Sequence, residues 1–219
     1  MNIQKIILPF LGVAGASGLG VFIQSQISSS PKKTTFRDKY RNAILDLVAT
    51  SGPDFTKIDS KWSSFKTSGT PKSDLLKESK TLSASKENDS KAKYREGCKR
   101  IYDSEFSDSG NLWEDFKNYC SKNNSDAFDG VSGAWVSENI NGSVGTDWSA
   151  RLKALKDSSS NVVVPEKLSK LKAKITTESY DVTQAKELKD WCELEKMNPF
   201  EGSQSDVYKS LKSFCRKES

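Results

Sequence analysis

The four cysteines of this 219-residue chain fall in two similar blocks. The first block runs from Cys98 to Cys120 and the second from Cys192 to Cys215. Each block has the pattern of one helix end, a polar turn and a second helix that ends in an aromatic residue and a cysteine, with a basic residue close behind. Cysteines in such blocks can form disulfides, bind zinc as thiolates or pack as buried free thiols.

The spacing of these cysteines favours disulfides over the other two roles. Zinc ligands usually come as C-x₂₋₄-C and redox catalysis uses C-x-x-C, and neither spacing occurs. The two helices of each block would run antiparallel, so that a local bridge joins them near the open end of the hairpin. We therefore predict the bridges Cys98–Cys120 and Cys192–Cys215, each worth about 3 kcal/mol in the chain-entropy model. Four buried free thiols remain the alternative.

Histidine is absent from the sequence. Its absence excludes Ser-His and Cys-His catalysis and histidine-ligated metal centres. The acidic run from Asp103 to Asp115 lacks the ligand spacing and the terminal glutamate of an EF-hand loop, and is interpreted as a solvated turn. We predict a protein without enzymatic activity, with no catalytic residue, no metal and no cofactor.

The charges are mixed along the whole chain. Lysine and arginine number 34 and aspartate and glutamate 29, which gives a net charge of +5. A nucleic-acid-binding protein more often gathers its basic residues on one stripe. We therefore predict no nucleic-acid partner.

Residues 1–30 form a separate apolar segment and tether. Lys5 precedes the uncharged run Ile6–Ile23, which as a helix would span about 27 Å, enough for a hydrocarbon core. The run fits a signal peptide cleaved after Ala14-Gly15-Ala16, or an uncleaved anchor. We interpret it as an anchor to the cell membrane. Because paired cysteines favour an oxidising exterior, we expect the bulk of the chain to be extracellular.

The remainder shows mostly helical periodicity and predicts a mostly α fold of two related helical-bundle repeats. Phe36, Tyr40 and Ile44 fall at helical spacing and predict a helix that continues to Gly52. Matching residues recur at offsets close to 90: Trp62 and Trp148 are 86 apart, Cys98 and Cys192 are 94 apart, and Cys120 and Cys215 are 95 apart. We predict one repeat over residues 31–125 and a second over 126–219, with the glycine-rich stretch 130–145 as their connector.

Trp135 is the one tryptophan outside a helical pattern, because it lies in that glycine-rich stretch. An exposed tryptophan on a loop can anchor a partner. Docking of the ring back onto the bundle is the other interpretation.

The layout resembles the large paralogous families of uncharacterised surface-type proteins of hemotropic mycoplasmas. The resemblance is carried by the apolar start, the Lys/Ser/Asn-rich helical body and a set of recurring elements: Trp62/Phe65, Trp148/Leu152, Trp191-Cys192, Tyr119-Cys120 and Phe214-Cys215. It implies membrane attachment and surface exposure, with no assigned activity.

We expect a membrane-anchored surface protein whose role is adhesion to a host component or antigenic display. The alternative is an extracytoplasmic module that binds a nutrient for a transporter, and it would need an apolar cavity between the two repeats.

Overall fold

Ten α-helices make up most of the part of the chain that the computed structural model describes, residues 33–159 and 162–217. The helices of the first half are α1 (Phe36–Lys39), α2 (Gly52–Ser68), α3 (Asp74–Leu82), α4 (Glu87–Asp103) and α5 (Asn111–Asp115), with a 3₁₀ turn at Arg41–Ala43 and a π-helical turn at Phe116–Cys120. Those of the second half are α6 (Asn124–Ala127), α7 (Thr146–Asp157), α8 (Glu166–Lys174), α9 (Val182–Met197) and α10 (Asp206–Phe214). The predicted mostly helical fold is confirmed.

The predicted membrane segment, residues 1–30, lies outside the described residues. Within the part that is described, none of the helices is both long and apolar enough to cross a membrane.

The buried apolar side chains form two clusters, one in each half. The first is built from residues between Phe36 and Cys120 and the second from residues between Phe128 and Cys215. Each cluster fills the space between the long helices of its own half, as expected when an amphipathic helix buries one face. Residues 33–219 nevertheless group as one compact unit, so the two cores are parts of one body.

The backbone contacts of the first half recur in the second. Isolated β-bridges in the described residues form two matching pairs: Thr35–Glu105 with Asn123–Pro199, and Ile44–Ser121 with Trp135–Arg216. Each bridge lies 88 to 95 residues beyond its counterpart. The two halves therefore share a backbone plan, and we refer to them as the first and second repeat.

Lys122 belongs to both repeats. Its N–H donates to the carbonyl of Ala43 at 2.8 Å, as Lys217 N–H donates to Ala134 at 2.8 Å. Its carbonyl accepts from Phe200 N–H at 2.9 Å, as the Thr34 carbonyl accepts from Phe106. One residue thus closes the first repeat and opens the second.

The stretch 130–145 is not a connector, which corrects that expectation. Trp135 within it pairs with Arg216 at the far end of the second repeat, and Val136 N–H donates to the Cys215 carbonyl at 3.0 Å. By the offset of 91 between Ile44 and Trp135, the stretch takes the place that residues 39–54 have in the first repeat. Its glycines had suggested a linker, but they form turns inside the repeat.

The helix register also differs from the predicted equivalence of Trp62 with Trp148. The residues of α2 that are buried are Ile58, Trp62 and Phe65, and those of α7 with the same spacing are Trp148, Leu152 and Leu155. This register gives an offset of 90, which lies within the range of 88 to 95 that the bridges show, whereas 86 does not. Trp148 therefore corresponds to Ile58, one helical turn earlier.

A cluster of ion pairs joins the repeats. Lys57 and Lys61 of α2 lie 3.2 and 3.0 Å from the carboxylate of Asp126, and Lys57 also contacts Asp129. Asp126 caps α6 as well, since it accepts from the Asn123 N–H at 3.0 Å. Burial alone would raise the pKa of Asp126, but Lys61, the Asn123 N–H and Lys57 together outweigh it and lower the pKa below 3.8.

Replacement of Asp126 by asparagine is expected to destabilise the chain at pH 7 by about 1 kcal/mol, because it removes the paired carboxylate. A lowered folded-state pKa stabilises the fold above the unfolded value of 3.8, and this stabilisation is lost as the pH falls through the folded value. Urea unfolding at pH 7, 4 and 3 should show the difference from wild type shrinking below pH 4. Asp157→Asn, at an aspartate whose side chain is 51% exposed and pairs with Lys153 on the surface, is the control and should change the stability less. For Asp126→Asn, a difference that persists unchanged at pH 3 would contradict the assignment.

Candidate functional site

The two disulfides are those predicted from the sequence. Cys98 bonds to Cys120 with 5.3 Å between the Cα atoms, and Cys192 bonds to Cys215 with 5.7 Å. All four side chains are at most 3% exposed. The bridges tie α4 to the π-helical turn and α9 to the end of α10, so the cysteines are structural elements of the two cores. No group of three or more His, Cys, Asp or Glu side chains in the described residues is arranged to hold a metal ion.

Two tyrosine hydroxyls of α4 bind the same π-helical turn as the disulfide of the first repeat. Tyr94 and Tyr102 lie one turn before and one turn after Cys98 on α4, and both are buried. Tyr94 donates to the Tyr119 carbonyl, and Tyr102 donates to the Cys120 carbonyl at 2.5 Å. Burial raises the pKa of both phenols well above the ordinary value, so they stay protonated donors.

An apolar groove between α8 and α9 is the candidate binding surface. Its floor is formed by Leu168 and Leu171 of α8 and by Trp191 and Leu194 of α9, and it encloses about 370 Å³. Leu194 is 48% exposed, although it is a large apolar residue. An open groove with an apolar floor is the type of surface that commonly binds a partner.

The corresponding helices of the first repeat show why this groove exists. α3 and α8 each have nine residues and begin 92 residues apart, and α4 and α9 end 94 residues apart. In this register Gly97 stands where the second repeat has Trp191. A methyl group at Gly97 would lie 2.5 Å from the Leu75 carbonyl oxygen, so only glycine lets α3 come this close to α4.

Two serines complete the close approach in the first repeat. Ser79 and Ser90 exchange hydroxyl-to-carbonyl hydrogen bonds of 2.8 Å across the two helices, and both are fully buried. The second repeat has Leu171 and Gln184 at these positions. α8 accordingly packs against α9 much less extensively than α3 packs against α4. The larger side chains, Trp191 above all, hold α8 away and open the groove.

The two walls of the groove differ in charge. Lys167, Lys170 and Lys174 line the α8 side, and Glu187 and Asp190 line the α9 side. At one end the walls are joined by the ion pair of Lys174 with Glu187 at 2.8 Å. At α3 and α4 of the first repeat a depression of about 400 Å³ is lined mainly by charged side chains, so the apolar floor distinguishes the second repeat.

The spaces where the two repeats meet have polar linings. A cavity of about 100 Å³ lies between Tyr40 and Trp113 of the first repeat and Glu195 and Glu201 of the second. Burial, together with the carboxylates of Glu201, Asp108 and Glu195, raises the pKa of Tyr40 to about 12. A second depression between the repeats encloses about 370 Å³ and is lined mostly by polar side chains, among them Lys61 and Asp126. Ligand pockets are usually lined mainly by apolar side chains.

Trp135 lies on the bundle. Its ring meets Phe128 edge-on at 5.2 Å, and it is half-buried against the second core. The Arg216 guanidinium lies 5.2 Å and the Lys196 ammonium 5.4 Å from the ring centroid. These contacts favour the docked interpretation over a free anchor for a partner.

Sequence reasoning missed the groove residues. Trp191 and Leu171 fit an ordinary buried helix face. Only comparison with Gly97 and Ser79 at the aligned positions reveals that they increase the separation of the two helices. The available signal was therefore the alignment of the two repeats. No protein-family model, no curated protein and no solved structure matches the chain.

Proposed function

We propose that this chain is a membrane-attached, outward-facing protein that acts by contact, in adhesion to a host component or in antigenic display, without enzymatic activity. The observation that carries the proposal is the pair of buried disulfides, with all four cysteines consumed. Disulfides of this kind form and persist in oxidising compartments, which supports an extracellular location for the folded body.

The apolar segment within residues 1–30 supplies the proposed attachment to the membrane. The resemblance to surface-type proteins of hemotropic mycoplasmas supports the same arrangement. A compact body with two disulfide-bonded cores and an open groove suits a role in which one surface meets another molecule.

The alternative, delivery of a nutrient to a transporter, has less support. It requires an apolar cavity between the repeats. The two spaces there, of about 100 and 370 Å³, are lined largely by polar and charged side chains, with Glu195 and Glu201 in one and Lys61 and Asp126 in the other.

The location can be tested on intact cells. Antibodies raised against the folded chain should label cells without permeabilisation, and non-reducing peptide maps should contain the two crosslinked peptides, Cys98 with Cys120 and Cys192 with Cys215. Labelling only after permeabilisation, together with four thiols open to alkylation under denaturing conditions, would reject the extracellular location. The contact role would be rejected if the purified chain failed to bind host cells and antibodies failed to label intact cells.

A further inference from the structure

We propose that the groove between α8 and α9 binds an amphipathic α-helix of a protein partner, with acidic side chains along one flank of its apolar stripe and basic side chains along the other. This inference rests on the proposed contact function and specifies the chemistry of the partner.

The floor of the groove calls for an apolar occupant. Leu168, Leu171 and Trp191 form its base and are at most 4% exposed, and Leu194 at its open side is 48% exposed. Exposed large apolar residues are concentrated in this repeat: among those in the described part of the chain, Val162, Val163, Leu194 and Met197 belong to it and Val48 to the first repeat. Leu194 is the member of this set that lines the groove, and removal of its side chain from water favours association by about 25 cal/mol per Å² buried.

The shape of the groove suits a helix. It runs between two helices, and α8 with its nine residues is about 13.5 Å long, or two and a half turns. A partner helix of that length presents apolar residues at i, i+3 or i+4, and i+7, the usual pattern of recognition of a helix in a groove. A volume of about 370 Å³ holds the few side chains that such a stripe projects.

The charges of the two walls determine which charges the partner helix should have on its two flanks. Lys167 and Asp190 stand on opposite walls, both exposed, and within the described residues neither forms an ion pair. An acidic flank facing Lys167 and a basic flank facing Asp190 would pair both. A helix with like charges on both flanks would be repelled by one wall, so the walls confer specificity more than affinity.

The apolar floor of the groove is not a necessity of the fold. The first repeat brings the same pair of helices close together with Gly97 and with the Ser79–Ser90 hydrogen bonds, and the depression that remains beside them is lined mainly by charged side chains. The second repeat has the bulky Trp191 at the position of Gly97. The apolar floor is therefore a property of the side chains of one repeat on a shared backbone plan.

The test uses the oxidised full-length chain and three fluorescein-labelled model helices that share one leucine stripe. One has an acidic and a basic flank, one has two acidic flanks and one has two basic flanks. Fluorescence anisotropy should show the mixed-flank helix binding with a Kd in the micromolar range and the other two binding about tenfold more weakly.

Variants at exposed positions locate the binding without disturbing the core. Leu194→Arg, which introduces the arginine that the first repeat has at position 100, should weaken binding of the mixed-flank helix about tenfold. Val48→Arg, at an 82% exposed valine outside the groove, should leave it unchanged. Unchanged circular dichroism and melting temperature should accompany both variants.

Charge reversal provides the sharpest test. Lys167→Glu and Asp190→Lys should each weaken binding about threefold, whereas the double variant should restore it, because the helix can then lie in the opposite direction. Absence of binding at about 100 µM, insensitivity to Leu194→Arg or additive loss in the double variant would overturn the proposal.

Other occupants have their own signatures. Self-association of the chain that Leu194→Arg abolishes in sedimentation velocity, or partition into phosphatidylcholine–phosphatidylglycerol vesicles that it abolishes, would also overturn the proposal, in favour of a second copy or a lipid surface. The binding assay does not depend on where the chain resides in the cell. If the model helices do not bind but antibodies label intact cells, this inference alone is rejected. If the helices bind but antibodies do not label intact cells, the proposed cellular location alone is rejected.

Discussion

Removal of the disulfide of the second repeat, by Cys192→Ala with Cys215→Ala, is expected to lower the free energy of unfolding by about 3 kcal/mol and to loosen the end of α10. The matched double variant of the first repeat, Cys98→Ala with Cys120→Ala, is expected to cost a similar amount globally, because the two loops have nearly equal lengths of 22 and 23 residues. The local loosening around the removed bridge is expected to be smaller in this first-repeat variant.

The difference in local effect follows from the tyrosine hydroxyls. Tyr94 and Tyr102 continue to donate to the carbonyls of Tyr119 and Cys120 after the first bridge is gone. The aligned positions on α9 are Leu188 and Lys196, and they provide no such donor to α10. The end of α10 retains Arg151, which donates from α7 to the carbonyls of Ser213 and Arg216 at 3.3 and 3.0 Å, but it loses its main link to α9.

Hydrogen exchange read by mass spectrometry can separate the local effects, and urea unfolding gives the global one. Amides of residues 211–215 should exchange faster in the second-repeat variant than amides of residues 116–120 do in the first-repeat variant. Equal protection of the two segments would show that the hydroxyls do not hold the π-helical turn. Unchanged unfolding free energies would show that the bridges do not constrain the unfolded chain.

The disulfides could be predicted because the information is local. Two amphipathic helices joined by a turn place residues near their open end together, and Cys98 and Cys120 occupy those positions. The same local reasoning failed for residues 36–48, where apolar spacing predicted one helix. The helix ends at Lys39, because Ile44 pairs with Ser121 and the Ala43 carbonyl accepts from Lys122, partners about 80 residues away that no local pattern records.

The groove was beyond sequence reasoning for a related reason. Periodicity identifies Trp191 as a residue of the buried face, and it is buried. The width of the gap to the next helix depends on the size of the side chains at the contact, and periodicity does not show which size the fold requires there. Gly97 in the first repeat supplies the comparison, but the repeats must first be aligned at the level of helices, and the Trp62–Trp148 match suggested by the sequence is one turn out of register.

Replacement of Asp115 by alanine is expected to be the most damaging single change in the first repeat, at roughly 3 to 5 kcal/mol. The carboxylate is fully buried at the end of α5 and holds Ser73, the N-cap residue of α3, together with Lys72 before it. Oδ1 accepts from the Lys72 N–H at 2.8 Å, and Oδ2 accepts from the Ser73 N–H at 2.8 Å and from the Ser73 hydroxyl at 2.5 Å. Alanine would leave three donors without their acceptor, at about 1 to 3 kcal/mol for each one that water cannot reach.

The second repeat provides the matched control for this change. Ser210 stands at the position aligned with Asp115, and Pro165 stands at the position aligned with Ser73. Proline has no N–H, so position 165 needs no acceptor, and the buried Ser210 hydroxyl has no hydrogen-bond partner among the described residues. Ser210→Ala should therefore change the unfolding free energy by less than about 0.5 kcal/mol, or stabilise the chain slightly. Urea unfolding of both variants compares them directly: equal losses would mean that burial alone sets the cost, whereas a large loss only for Asp115→Ala would assign it to the cap.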